Sequence, residues 1–165
     1  MGSRVLGTVA AAAMLVMVLV AAGCGSTGAD GQKDAAGGSY AGRIIPPAEF
    51  AVADFAGKPL VVNMFGSWCP PCNMEAPELA AFAEQNPDVQ VVGVACQDDE
   101  AAAVGFMEEY GLTFPLVVDD GRIVQETGTT AFPTTIFFDA GGVEVDRIVG
   151  AATLDQFNAS LAKAQ

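Results

Sequence analysis

The mostly apolar run Leu60-Val61-Val62-Asn63-Met64-Phe65 is followed within three residues by Trp68-Cys69-Pro70-Pro71-Cys72, and this junction constrains the 165-residue chain more than any other feature. Successive apolar positions fit a central strand buried on both faces. From Pro70 to Asn86, Glu75, Glu78, Leu79 and Glu84 supply helix formers; the spacing puts Leu79 and Phe82 inward and predicts a kink at Pro77. Pro70 suits an early helical position. Cys69 then meets the unsatisfied N–H groups of a helix start, where the field favours thiolate over thiol, and its place before the helix predicts that it is the more accessible cysteine. Cys72, in the first turn, is close enough to attack a mixed disulfide held on Cys69. The pair therefore reads as a reversible dithiol/disulfide in which Cys69 exchanges and Cys72 resolves.

The remaining pattern builds an α/β domain around that junction. Val89 to Ala95 is a second buried strand, and the acidic start Asp98-Asp99-Glu100 opens a helix to Tyr110 with Val104, Met107 and Tyr110 inward. Strand, helix and strand in this order predict a parallel pairing. Phe114 to Val118 is a short strand and Gly121 to Thr127 a brief turn or helix. Thr134 to Phe138 and Val143 to Val149 form a hairpin about Asp139-Ala140-Gly141-Gly142. Leu154, Phe157 and Leu161 mark the inner face of a last helix, and Tyr40 to Lys58, broken by Pro46-Pro47, reads as an irregular strand or hairpin.

Composition narrows the chemistry. The chain has no histidine, which excludes Ser-His-Asp and Cys-His catalysis and any His-ligated metal. Its formal net charge of −13 opposes a phosphate backbone, so no nucleic-acid partner is expected; no cofactor is expected either. Zinc on Cys69, Cys72 and Cys96 lacks a fourth ligand. An inert structural disulfide at Cys69 and Cys72 would close too short a loop to constrain much unfolded chain. Cys96, at the end of the second strand, is read as a buried structural thiol, with a third redox thiol or a dimer-forming cysteine as alternatives. Trp68 is read as a wall beside the reactive sulfur rather than a plain packing aromatic.

The N-terminal part stands apart from this domain. Arg4, the apolar run from Val9 to Ala22 and Ala21-Ala22-Gly23-Cys24 resemble a bacterial lipoprotein signal, although Ala21 stands where a larger aliphatic is more usual. The resemblance implies a signal peptide over 1–23, a lipid on Cys24, and location on the extracytoplasmic side of the cell membrane. Residues 24–39, Gly-rich and polar, read as a flexible tether, leaving 40–165 as the folded domain.

VVNMFGSWCPPCNMEAPEL, FMEEYGLTFPLVVDD, AFPTTIFFDAGG and VDRIVG, in that order from about Gly57 to the C terminus, closely resemble the extracytoplasmic thioredoxin-like family that includes ResA and TlpA proteins. The resemblance implies a thioredoxin-like fold, a central mixed sheet flanked by helices, with Cys69 nucleophilic and Cys72 resolving. It also implies a cis bond before Pro133, which the sequence alone leaves as an ordinary trans imide. A cis imide there would aim the Phe132 backbone toward the cysteines and offer an extended client main-chain hydrogen bonds. Asn63 falls where cytosolic thioredoxins often carry a proton-transferring Asp, a role closed to an amide. Asp98 lies near a position where ResA-like proteins carry a Glu, and is a candidate proton carrier; an acidic helix cap is the simpler alternative. Glu75 is read as a solvated helix position, with assistance to proton transfer as the alternative.

The expected activity is thiol-disulfide exchange on protein thiols or disulfides. The family resemblance favours the reducing direction, fed by a membrane redox partner and directed to clients such as those of cytochrome c biogenesis. An oxidase of the same fold, a peroxiredoxin-like peroxidase and a non-enzymatic client-binding lipoprotein are the alternatives. The peroxidase lacks its usual threonine, because Gly66-Ser67-Trp68 precedes Cys69. The non-enzymatic reading sits poorly with an intact Cys69, Cys72 and Pro133.

Overall fold

The computed structural model describes residues 40–165. The expected signal peptide, the Cys24 lipid site and the tether lie outside the described residues. After Tyr40 the chain forms β1 (Ile44–Ile45) and two 3-10 turns, Pro47–Glu49 and Val52–Phe55. It continues through β2 (Leu60–Phe65), α1 (Pro70–Gln85), β3 (Gln90–Ala95) and α2 (Glu100–Glu109). There follow β4 (Leu116–Val118), α3 (Arg122–Thr127), β5 (Thr134–Phe138), β6 (Glu144–Val149) and α4 (Leu154–Leu161).

The strands make one mixed sheet in the order β1-β4-β3-β2-β5-β6. β2 and β3 pair in parallel, as their strand-helix-strand order predicts, β4 and β1 extend the parallel part, and β5 and β6 run antiparallel beyond β2. β2 is central and every residue of it is buried. Because side chains alternate along a strand, Leu60, Val62 and Met64 join one core with Val92, Val94, Cys96 and Ile123. Val61 and Phe65 face the other way, onto cores shared with α1, α2 and α4. Asn63 shares that second face and therefore points at α1.

The helices form where the apolar spacing predicts, with adjustments at their ends. β4 starts at Leu116 rather than Phe114, since Pro115 has no N–H to give a ladder; the Pro115 carbonyl instead accepts from Gly93 at 2.9 Å. The N-terminal segment holds only a two-residue strand, because Pro46 and Pro47 divert the chain into the first 3-10 turn. The helix cap of α2 is Asp99, whose carboxylate accepts from Ala102 N–H at 2.9 Å, and not Asp98. Glu75 is the main correction. It is 2% exposed, not solvated, because it lies on the stripe of α1 that also buries Cys72, Ala76, Leu79 and Phe82.

Candidate active site

β2 ends at Phe65, Gly66 to Trp68 turn the chain, and Cys69 is the N-cap of α1 with Pro70 in its first turn. Two missing N–H groups at Pro70 and Pro71 cost nothing here, because the first helical amides have no internal partner. Cys69 and Cys72 are joined in a disulfide with their Cα atoms 5.3 Å apart. The expected difference in access is absent from the closed pair. The two cysteines are 3% and 2% exposed, so position at the helix start is what separates them.

The Phe132–Pro133 peptide is cis. The Phe132 carbonyl oxygen lies 3.6 Å from Cys69 Sγ. Pro133 is itself fixed, its carbonyl accepting from Gly150 N–H at 2.8 Å. Trp68 is 54% exposed, which is unusual for the largest side chain in a core-forming segment. Its indole N–H donates to the Gln97 carbonyl at 3.0 Å, and its ring meets the Phe132 ring at 84° with centroids 6.1 Å apart. Gly66 makes room for it: a Cβ there would stand 2.7 Å from the indole.

Asp98 contacts neither cysteine. Its two oxygens accept from Ser67, the backbone N–H at 2.6 Å and the hydroxyl at 2.8 Å. Asn73 holds the loop from the helix side, donating to the carbonyls of Ser67 at 3.1 Å and Cys69 at 2.8 Å, and accepting from Tyr110 at 3.0 Å.

Beneath the pair, one turn beyond Cys72, lies Glu75. Asn63 donates to one of its oxygens at 2.7 Å and Ala152 N–H to the other at 2.8 Å; Asn63 also donates to Thr135 at 2.9 Å. Burial pushes the Glu75 carboxyl up to about 7 despite these hydrogen bonds. The sequence held the signal that would have found it: Glu75 is three residues after Cys72 and four before Leu79, which is inward spacing on a helix.

Cys96 is fully buried on the opposite face of the sheet from Cys69 and Cys72, among Val94, Met64 and Val117. Burial, reinforced by Asp119 and Asp98, pushes its thiol above the ordinary range, which disfavours the thiolate form. Among the described residues no cluster of three His, Cys, Asp or Glu groups could hold a metal, and no helix is long and apolar enough to cross a membrane.

A family model described as Redoxin matches residues 45–163. Over 107 residues the chain is 36% identical to the thiol:disulfide interchange protein DsbE of Pseudomonas aeruginosa, covering 64% of this chain and 58% of that protein. It is 30% identical over 113 residues to the thiol-disulfide oxidoreductase ResA of Bacillus thuringiensis, covering 67% and 65%. Among solved structures, it superposes on a secreted Mycobacterium tuberculosis disulfide oxidoreductase homologous to E. coli DsbE. The TM-score is 0.63 at 33% identity, over 68% of this chain and 87% of that one. The chain spans about three fifths of the length of the curated relatives it matches.

Proposed function

Because this chain belongs to the Redoxin family and has a thioredoxin-like fold with a disulfide at a strand–helix junction, we propose that it catalyses thiol-disulfide exchange on proteins outside the cytoplasm. The observation that carries the reading is the Cys69–Cys72 bond at the start of α1, facing the Phe132 carbonyl.

In the reducing direction, the Cys69 thiolate attacks one sulfur of a client disulfide. The client S–S bond breaks, its second sulfur leaves as thiolate, and a mixed disulfide joins Cys69 to the client. Cys72 loses its proton, attacks Cys69 Sγ and expels the client's remaining thiolate. The client has gained two electrons, the Cys69–Cys72 bond has re-formed, and two protons end on client thiols. Glu75 takes the proton from Cys72, a step that suits a carboxyl pushed up to about 7 one helical turn away. Trp68 and the Phe132–Pro133 segment flank the client strand, Trp68 as a wall and Phe132 through its carbonyl. A membrane redox partner re-reduces the pair, since a domain outside the cytoplasm has no access to the cytosolic thiol pool.

The domain is anchored through a lipid on Cys24 after removal of residues 1–23, with 24–39 as tether; the basic start, apolar run and AAGC order support this. Its clients include cysteine pairs that must be reduced during cytochrome c biogenesis, as the resemblance to ResA proteins supports. Cys72→Ala tests the exchange reading. This variant is expected to accumulate client-linked species through Cys69 that disappear on adding dithiol, and Cys69→Ala is expected to trap none. Equal trapping by Cys69→Ala would reverse the assigned roles, and no trapping by either would remove the exchange reading.

A further inference from the structure

The turn between β3 and α2 grips the active-site loop in a way that the exchange reaction by itself does not explain. Asp98 commits both carboxylate oxygens to Ser67. Gln97 is the one described non-glycine residue with positive φ, at 54°, and it is this left-handed backbone whose carbonyl receives the Trp68 indole N–H. Ser67 lies inside the turn that Cys69 N–H closes onto the Gly66 carbonyl at 3.0 Å. Two trans peptides link Ser67 to Cys69, so their Cα atoms are within about 7 Å. The Asp98 carboxylate, seated on Ser67, is therefore held two residues along the chain from Cys69, a separation comparable with the roughly 10 Å over which charges act at 0.1 M salt.

A negative charge at that place acts against the helix. The N-terminus of α1 favours a Cys69 thiolate, and thiolate stabilisation favours the reduced pair, which makes the pair a stronger oxidant. A carboxylate beside the same helix start disfavours the thiolate and moves the balance the other way. We propose that Asp98 is a positioning residue with an electrostatic effect on the pair. It fixes the Ser67–Trp68 loop while holding back the Cys69 thiolate, which keeps the pair reducing. The proposal rests on the exchange reading of Cys69 and Cys72 and deepens it.

The surroundings give the effect a definite sign. The titratable groups on this side of the site are Cys72, bonded to Cys69, Glu75 one turn further along α1, Asp98 on Ser67, and Tyr110, which follows α2 and donates to Asn73; Cys96 lies on the opposite face of the sheet. β2 and the Phe132–Pro133 segment bring none. Among the described residues no Lys or Arg hydrogen-bonds to the loop; Arg122, Arg147 and Lys163 are engaged with Glu126, Glu144 and Asp146.

The test uses the full chain and two variants. Asp98→Asn keeps an acceptor for Ser67 and removes the charge, whereas Ser67→Ala keeps the charge and removes one hydrogen bond. Two quantities are read: the pH dependence of Cys69 alkylation in the reduced protein, resolved by mass mapping, and the equilibrium of the pair with glutathione. Asp98→Asn is expected to lower the apparent pKa of Cys69 by about one pH unit. It is also expected to shift the glutathione equilibrium about tenfold toward reduced protein, about 30 mV. Ser67→Ala is expected to move both less than half as far. If Asp98→Asn lowers thermal stability while both readouts stay within twofold of wild type, or if Ser67→Ala matches it, Asp98 is only a structural tie and the proposal is wrong. Asp98→Ser carries the same comparison if the Asn variant fails to fold. Neither readout needs a client. A wild-type pair that does not equilibrate with glutathione would overturn the exchange reading, whereas unshifted variants of an exchanging pair overturn this proposal alone.

Discussion

At the scale of single residues, Glu75 joins stability to mechanism. Its carboxyl is pushed from the ordinary 4.5 up to about 7 by burial, so the fold prefers it protonated. A group whose folded pKa is raised contributes stability in full below its unfolded value and loses it as pH rises through the folded one. Wild type is therefore expected to lose on the order of 3 kcal/mol relative to Glu75→Gln between about pH 4.5 and about pH 8. Urea unfolding of both proteins across that range checks it, and a difference that stays flat with pH would refute the buried titration. The same residue shows what sequence reading misses. Glu is a good helix former and rarely fully buried, so composition argues for solvent while the spacing from Cys72 and Leu79 argues for the core. The spacing wins, because Asn63 and Ala152 supply the hydrogen bonds that make the burial tolerable. Those partners come from 12 and 77 residues away, which no local pattern reveals. Cys69, Cys72 and Trp68 stand out because they lie in one short motif, whereas the cis bond before Pro133 was implied only by the family resemblance. Ser67 and Gln97 do not stand out, since their importance lies in contacts across the loop.

At the scale of elements, α1 must be held firmly, because it carries Cys72 and Glu75 on one face. α4 does much of this: Phe82 and Phe157 are both fully buried with ring centroids 5.4 Å apart, and Glu78 accepts from Leu154 N–H at 2.9 Å. Phe157→Ala is expected to destabilise the domain by about 3–5 kcal/mol, the range for an aromatic removed from a packed core. Its urea midpoint is expected to fall without a change in slope; a loss below about 1 kcal/mol would show that α4 does not anchor α1. The inward faces of α1 and α4 were legible from 3.6-residue periodicity, and β2 and β3 from their apolar runs. The ends were less so: Pro115 delays β4, and Asp99 rather than Asp98 caps α2, a choice set by which carboxylate Ser67 draws away.

At the scale of the whole molecule, β2, flanked by parallel β3 and antiparallel β5, delivers Cys69 and the Phe132–Pro133 segment to the same end of the sheet. The family resemblance implied a central mixed sheet but no strand order, and no residue pattern supplied one, since pairing across the sheet joins segments far apart in sequence. The net charge of −13 means that attraction to an anionic leaflet cannot hold the protein at a membrane, which is why a lipid on Cys24 serves as the anchor in the proposed function. The central claim is that the Cys69–Cys72 pair exchanges disulfides and works as a reductant. Its reduction potential, from equilibration with a thiol/disulfide buffer followed by alkylation and mass analysis, tests this most directly. The account predicts a value near the roughly −270 mV of thioredoxin; a value near the roughly −120 mV of DsbA, with client thiols oxidised faster than client disulfides are reduced, would contradict it.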